Sequence, residues 1–261
     1  MTNSEILNLT PENIADYGVC GYKDANKHKE LQKKIEWYKE YYPKGLRIKI
    51  YFSKEGGYQG MIEYIPGKYA HRPVNAEGYM FIHCVFVGFK KEYKAKGYAT
   101  ALLSECIKES QQQGMKGVVV VTRKGSFMVD KPLFLKNGFK VVDSAKPDFE
   151  LIVKKFDEKA ADPSFKKDMT DKLKSYQDGL YILRSPQCPY TEKNVAAILK
   201  TAQKKYKIKA TLIELKDATM AQETPAPFGT FIVIYNGEIV SYHPISNTRF
   251  ENIMNKKLQK D

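Results

Sequence analysis

The sequence predicts an α/β protein of two units, and three observations lead to that fold class. An apolar segment over 78–89, a polar turn over 90–97, a helical pattern over 99–114 and an apolar run over 116–122 follow one another. That order of strand, turn, helix and strand is typical of a βαβ unit with parallel strands. After a polar stretch, a second series of signals runs in the order βαβ-ββα. The length of 261 residues also favours two domains.

The other elements of the first unit follow from periodicity. Further strands are predicted where short segments are apolar or alternate apolar with polar residues, over 5–9, 46–52, 58–66 and 139–156. Gly56-Gly57 predicts a hairpin turn between the second and third of these strands. Helices are predicted over 31–42 and 130–138. On the longer one, apolar side chains recur at helical spacing, at Leu31, Ile35, Tyr38 and Tyr42.

The division of the chain is predicted from a change in composition. Residues 158–178 are polar and charged, and we interpret them as a linker that is partly helical. The first domain is therefore expected to span 1–157 and the second 179–261. In the second domain, Asn236-Gly237 between two apolar runs is a strong hairpin signal.

Composition indicates a soluble protein with a basic surface. The net charge is +13, and 43% of the residues are hydrophobic. Residues 1–157 carry 26 basic and 18 acidic residues, a net +8, and 158–261 carry 17 and 12, a net +5. Because the excess is spread over both halves, it favours a solvated surface over a nucleic-acid interface. No run approaches the ~20 apolar residues that span a bilayer, and no secretory signal is recognised. We therefore expect a cytoplasmic protein without membrane contact.

The cysteines do not form a recognisable site. Cys20, Cys84, Cys106 and Cys188 lie far apart, without a C-x-x-C pair. This spacing makes a metal site or a disulfide framework improbable, so free thiols and no metal are expected.

The turn EYKAKGYAT, residues 92–100, is the first candidate binding site. A turn from a strand into a helix points backbone N–H groups at one place, and the helix dipole adds partial positive charge there. Gly97 allows close approach of a ligand, and lysines at 90, 91, 94 and 96 surround it. The pattern predicts a phosphate or pyrophosphate site, although neither a Walker loop nor a dinucleotide fingerprint is present.

The same turn resembles the acetyl-CoA loop of the GNAT-family acetyltransferases. That loop is roughly [QR]-x-x-G-x-[GA], and here the segment is Lys94-Ala95-Lys96-Gly97-Tyr98-Ala99. The segment LFLKNGF, residues 133–139, is similar to a later motif of the family. The resemblance covers residues 4–156 and implies a mixed sheet flanked by helices. It also implies an acetyl-CoA-dependent N-acetyltransferase, in which a neutral amine attacks the thioester directly in a ternary complex.

The resemblance also implies roles for individual residues. In the family, two strands splay apart and the pantetheine arm lies between them, so the backbone of Val87 and Phe89 would hold that arm. One of these N–H groups would polarise the thioester carbonyl. The pyrophosphate would be held by the turn and the first residues of the helix, namely Lys94, Lys96, Gly97, Tyr98, Ala99 and Thr100.

The acid and the base of the reaction are less clear from the sequence. Phe134 stands where the family often has a tyrosine that protonates the leaving thiolate, so it is grouped with the cosubstrate-binding residues and the general acid is unassigned. His83 has a suitable pKa range for a base, and Glu63 on the preceding strand is the other candidate. For both residues a structural role is the alternative.

The second unit resembles a thioredoxin-like domain. Cys188 lies in SPQCPYT just before a predicted helix, a position that favours a thiolate. The segment is similar to the C-P-Y-C site of glutaredoxins, but Thr191 replaces the second cysteine. A GNAT domain followed by such a unit is a bacterial arrangement described as YoaP-like. Three hypotheses stay open: an acetyltransferase acting on a small-molecule or peptide amine, a CoA-binding sensor without chemistry, and a monothiol redox protein centred on Cys188.

Overall fold

A computed structural model describes residues 4–22, 24, 26–53, 57–88 and 93–259. The chain divides into two compact units. The first comprises residues 1–70 and 74–165, and the second comprises His71–Pro73 and 166–261. Among the described residues, no helix combines the length and the apolar character that crossing a membrane requires.

The first unit is built on a seven-stranded mixed sheet. Its strands in chain order are β1 (Ser4–Asn8), β2 (Arg47–Ser53), β3 (Gly57–Pro66), β5 (Met80–Val87), β6 (Gly117–Thr122), β7 (Lys140–Ala145) and β8 (Phe149–Lys155). A separate short strand, β4 (Val74–Asn75), pairs with β9 (Ser164–Phe165). The order across the large sheet is β1-β2-β3-β5-β6-β8-β7. Only the β5–β6 pair is parallel among these described pairings, so the predicted mixed α/β sheet is confirmed.

Within the described part of the first unit, four α-helices accompany this sheet. They are α1 (Ile14–Tyr17), α2 (Lys29–Tyr41), α3 (Tyr98–Gln112) and α4 (Pro132–Leu135). Helix α3 connects β5 to β6, as the βαβ pattern predicts. It buries Leu102, Leu103 and Cys106 against strand residues that include Ile62 and Val120. A helix with an apolar stripe at this spacing is held mainly by such packing.

The second unit is a smaller α/β domain. Its strands are β10 (Leu180–Arg184), β11 (Ala210–Glu214), β12 (Phe231–Tyr235) and β13 (Glu238–Ser241), in the order β11-β10-β12-β13. Its helices are α5 (Met169–Leu173), α6 (Val195–Lys205), α7 (Ala218–Gln222) and α8 (Asn247–Leu258). Strands β10 and β11 are parallel, and β12 and β13 are antiparallel neighbours. The predicted order βαβ-ββα is therefore observed, with the short helix α7 added between β11 and β12.

The boundary between the units is more structured than a linker. Within residues 158–178 the chain forms β9, whose Phe165 pairs with Val74, and then helix α5. Lys166 donates its backbone N–H to the carbonyl of Pro73 inside the second unit. A two-residue strand has no periodicity of its own, so composition alone does not reveal it.

Candidate functional site

The parallel strands β5 and β6 form a fork. Their pairing is confined to Met80–Ile82 opposite Val118–Val120. Beyond that point β5 runs on to Val87 and remains paired with β3, while β6 runs on to Thr122 and remains paired with β8. We call the opening between residues 83–87 of β5 and residues 121–122 of β6 the fork. An opening between two strands leaves backbone N–H and C=O groups available to an extended ligand.

The exposure of His83 shows which atoms face outward at the root of the fork. The whole residue is 8% exposed, whereas its side chain is 0% exposed. Its exposed area therefore belongs to the main chain. Val87, at the far end of the strand, is half-buried and lies opposite Gly60. Phe89, predicted to hold the same ligand, lies outside the described residues.

The predicted anion site lies at the start of α3. Gly97 is the N-cap residue with φ +79°, a left-handed conformation that favours glycine. An added Cβ would meet no atom within 4 Å, so the backbone is open to a ligand. Ala95 also has a positive φ of +57°. Alternating left-handed residues of this kind turn successive N–H groups toward one place.

Charge and packing support an anion at the same place. The side chains of Lys94 and Lys96 are exposed, and the first turn of α3, which is fully described, carries no acidic residue. The ring of Tyr98 stacks on Tyr51 of β2 with centroids 4.2 Å apart, which fixes the first residue of the helix to the sheet. The amides of Tyr98, Ala99 and Thr100 belong to the first helical turn, where N–H groups lack partners within the helix. This arrangement suits a pyrophosphate.

The fork and the anion site fit coenzyme A together. Strand β5 is followed in the chain by the turn and then by α3. The fork and the anion site therefore both lie toward the carboxyl end of β5. The residues present are backbone groups of β5, the amides of residues 98–100 and two exposed lysines. Each suits a chemically different part of that molecule.

The two candidate catalytic side chains are brought together, and a third residue joins them. Glu63 Oε1 lies 3.1 Å from His83 Nδ1, and Glu63 Oε2 pairs with Lys34 Nζ. The side chains of all three residues are 0% exposed. Burial alone would raise the pKa of Glu63, but Lys34 and His83 outweigh it and lower that pKa to about 2. Glu63 is therefore an ionised carboxylate inside the protein.

Lys34 was not identified from the sequence, although a signal was present. It lies on the predicted apolar face of α2, three residues after Leu31 and four before Tyr38. A lysine among apolar positions is rarely buried without a partner. The partner, Glu63, is 29 residues away in the chain. The sequence could show the unusual position of Lys34 but not the residue that accompanies it.

Phe134 is part of the core. Its side chain is fully buried in α4 and packs edge-to-face on Phe139, with ring centroids 5.4 Å apart. It belongs to the cluster of buried residues between α3 and the sheet. A phenyl ring has no proton to transfer, so α4 supplies no general acid from this position.

The surroundings of Cys188 differ from the expectation. Cys188 is half-buried and precedes a single 3-10 turn, Pro189–Thr191, whereas α6 begins only at Val195. The α-helix predicted after the cysteine therefore begins later than expected, at Val195, and the residues directly after Cys188 form only a 3-10 turn. Thr191 is buried, and its hydroxyl donates to the carbonyls of Ser185 and Cys188.

The described residues contain no group of three or more His, Cys, Asp and Glu side chains placed to hold a metal ion. The fork and the start of α3 thus remain the candidate site.

The comparisons find acetyltransferases. The chain is 28% identical over 253 residues to the uncharacterized N-acetyltransferase YoaP of Bacillus subtilis, covering 95% of this chain and 98% of that protein. A family model described as YoaP-like matches residues 210–252. The thioredoxin-like character of the second unit is not among these findings and stays a prediction.

Solved structures of acetyltransferases are also similar. The PaiA N-acetyltransferase of Thermoplasma acidophilum in complex with coenzyme A is 19% identical, with 59% of this chain and 99% of that chain covered and a TM-score of 0.40. YncA of Salmonella typhimurium with acetyl-CoA is 16% identical, with 61% and 97% covered and a TM-score of 0.44. The similarity over almost the whole length of the Bacillus subtilis protein confirms the resemblance to N-acetyltransferases with a YoaP-like C-terminal part.

Proposed function

We propose that this protein transfers an acetyl group from acetyl-CoA to a primary amine of a small molecule or peptide. The observation that carries the proposal is the fork between β5 and β6, which opens beside the left-handed Gly97 and the start of α3. The similarity to a protein described as an N-acetyltransferase supports the same reaction.

Different groups of the chain would bind different parts of acetyl-CoA. The amides of residues 98–100, with Lys94 and Lys96, would hold the pyrophosphate by charge and hydrogen bonds. The backbone of Val87, and of Phe89 beyond the described residues, would hold the pantetheine arm. A backbone N–H at the end of β5 would donate to the thioester oxygen and stabilise the negative charge that develops there. When bound, acetyl-CoA supplies an activated thioester.

The acceptor enters as a neutral amine in this proposal. Direct attack requires no covalent enzyme intermediate, and with Phe134 in place of a tyrosine the leaving thiolate would take its proton from another group or from water. His83 and Glu63 are the acid–base candidates, but both side chains are completely buried. A base must come within about 3 Å of its proton or act through one water. Their burial favours an indirect contribution over direct proton transfer.

The test is turnover of acetyl-CoA with a panel of amines. The panel contains small aliphatic amines, polyamines, peptides with free N-termini and aminoglycosides, and release of free CoA thiol is the readout. We expect release of CoA thiol with at least one class of amine. The rate should rise with pH as the acceptor amine loses its proton. A pH-dependent step in this rate that disappears in His83→Gln would assign the base to His83 instead.

One observation favours a second candidate function. Phe134 carries no ionisable group, and the two titratable candidates are enclosed. A protein that binds CoA without chemistry would have the same fork and helix start. Acetyl-CoA binding without thiol release from any acceptor class would favour this sensor and contradict the transferase.

A further inference from the structure

Three ionisable side chains from three different elements meet in a fully enclosed position. Lys34 comes from α2, Glu63 from β3 and His83 from β5. Glu63 bridges the other two with its two carboxylate oxygens. Trp37 covers the group, with its ring 4.1 Å from Lys34 Nζ and its centroid 6.0 Å from that of His83. Desolvating three such groups is costly unless every member is satisfied.

This group lies at a register shift between β3 and β5. Glu63 is opposite Cys84 and Tyr64 is opposite Ile82, so His83 is the extra residue of a β-bulge. Bulges bend a strand and increase its local twist. The residue before the bulge, Ile82, is the last one of β5 that pairs with β6. The bend in β5 thus coincides with the root of the fork.

The chemistry of Glu63 determines how His83 is held. An ionised carboxylate only accepts hydrogen bonds, so the Nδ1 atom 3.1 Å away must carry the proton. Lys34 stabilises the ionised form of Glu63, and its pairing ties α2 to β3. Without the ammonium, a buried carboxyl tends to take up a proton. Its oxygens would then no longer be obligate acceptors for His83.

We infer that Lys34, Glu63 and His83 form a buried positioning unit that holds the bulge of β5 and thereby the backbone that lines the fork, with Lys34 as an essential member. The inference rests on the proposed function for its catalytic consequence. Its structural part stands on the geometry alone. Lys34 does not contact the substrate. It acts indirectly, because its pairing with Glu63 helps to fix the path of β5.

The structural part is tested by hydrogen–deuterium exchange of residues 83–87. Lys34→Met keeps most of the length and the apolar character of the side-chain stem but removes the charge. We expect the amides of this segment to exchange roughly tenfold faster than in wild type, because the strand loses its anchor. Unchanged protection of this segment in a folded Lys34→Met protein would overturn the inference, whatever the activity of the protein.

Lys155→Met is the matched control. Lys155 lies on β8 of the same sheet, its side chain is 14% exposed, and it pairs with Asp162 at 3.1 Å. Replacing it also removes an ammonium from an ion pair, but two strands away from β5. We expect exchange in residues 83–87 to stay within about twofold of wild type. Equal acceleration in both variants would show a general loss of stability and contradict the inference.

The double variant Lys34→Met/Glu63→Met separates positioning from stability. Replacing a buried ion pair with apolar side chains is often neutral or stabilising, so this protein is expected to fold even if the single variant does not. We expect its affinity for acetyl-CoA to fall less than about threefold, because the start of α3 is intact. Turnover should fall roughly 10- to 100-fold, since small displacements at the reacting centre are costly. Wild-type exchange and turnover in the double variant would reject the positioning role, whereas absence of turnover in wild type would reject only the proposed reaction.

Discussion

Gly97 and Lys34 show two ways in which a single residue is informative. Gly97 was recognised because a glycine between a strand and a helix, among lysines, has few structural explanations. The structure gives it a φ of +79° and open space at its Cβ position. Lys34 was overlooked because its meaning depends on Glu63, which folding brings to it from another element. Local conformation can be read from neighbouring residues, whereas a buried ion pair can be read only from the fold.

The ionisation of Glu63 predicts a dependence of stability on pH. Burial opposes ionisation, but Lys34 and His83 lower the pKa from 4.5 to about 2. Because the folded pKa is below the unfolded one, the contribution of Glu63 is fully present above about pH 4.5 and is lost as the pH falls toward about 2. Urea unfolding at a series of pH values should therefore show a steeper acid loss of stability in wild type than in Lys34→Met/Glu63→Met. Parallel curves for the two proteins would contradict this assignment.

At the scale of elements, periodic segments were predicted well and irregular ones were not. Strand β5, helix α3 and strand β6 were anticipated because apolar spacing changes from strand-like to helical and back. The hairpin at Asn236-Gly237 was also anticipated, and both residues have the positive φ values that such a turn requires. The bulge at His83 and the strand Ser164–Phe165 were not, because both depend on the partner strand.

Helix α4 provides a prediction about the missing tyrosine. Phe134→Tyr restores the side chain that the related motif often has, but the native ring is completely buried. A hydroxyl without a partner in such surroundings costs about 1–3 kcal/mol. We expect a loss of unfolding free energy of that order, measured in urea, and no increase in turnover. Unchanged stability with faster turnover would show that the hydroxyl reaches the reacting groups.

At the scale of the whole molecule, the chain combines two α/β units of different size. The first contains every residue of the proposed acetyl-CoA site, and the second contains Cys188 and the residues that match the YoaP-like family. Composition predicts a boundary segment over 158–178, and the two compact units divide after residue 165, inside that segment. The inclusion of His71–Pro73 in the second unit is not predicted, because these residues lie far from it in the chain. The net charge mainly argues against a nucleic-acid interface. Because both halves share the basic excess, the charge does not identify a particular partner.

The central claim is that the start of α3 binds the pyrophosphate of acetyl-CoA, and calorimetry of three proteins tests it most directly. Gly97→Glu places a carboxylate where the phosphates would lie. Gly114→Glu is the matched control, because Gly114 also has a positive φ, +67°, and open space around its Cβ position at the other end of α3. We expect wild type and Gly114→Glu to bind acetyl-CoA with affinities within about threefold of each other. Gly97→Glu should bind roughly 10- to 100-fold more weakly, since charge-assisted hydrogen bonds are worth about 1.5–3 kcal/mol. Equal binding by all three proteins, or none by wild type, would contradict the claim.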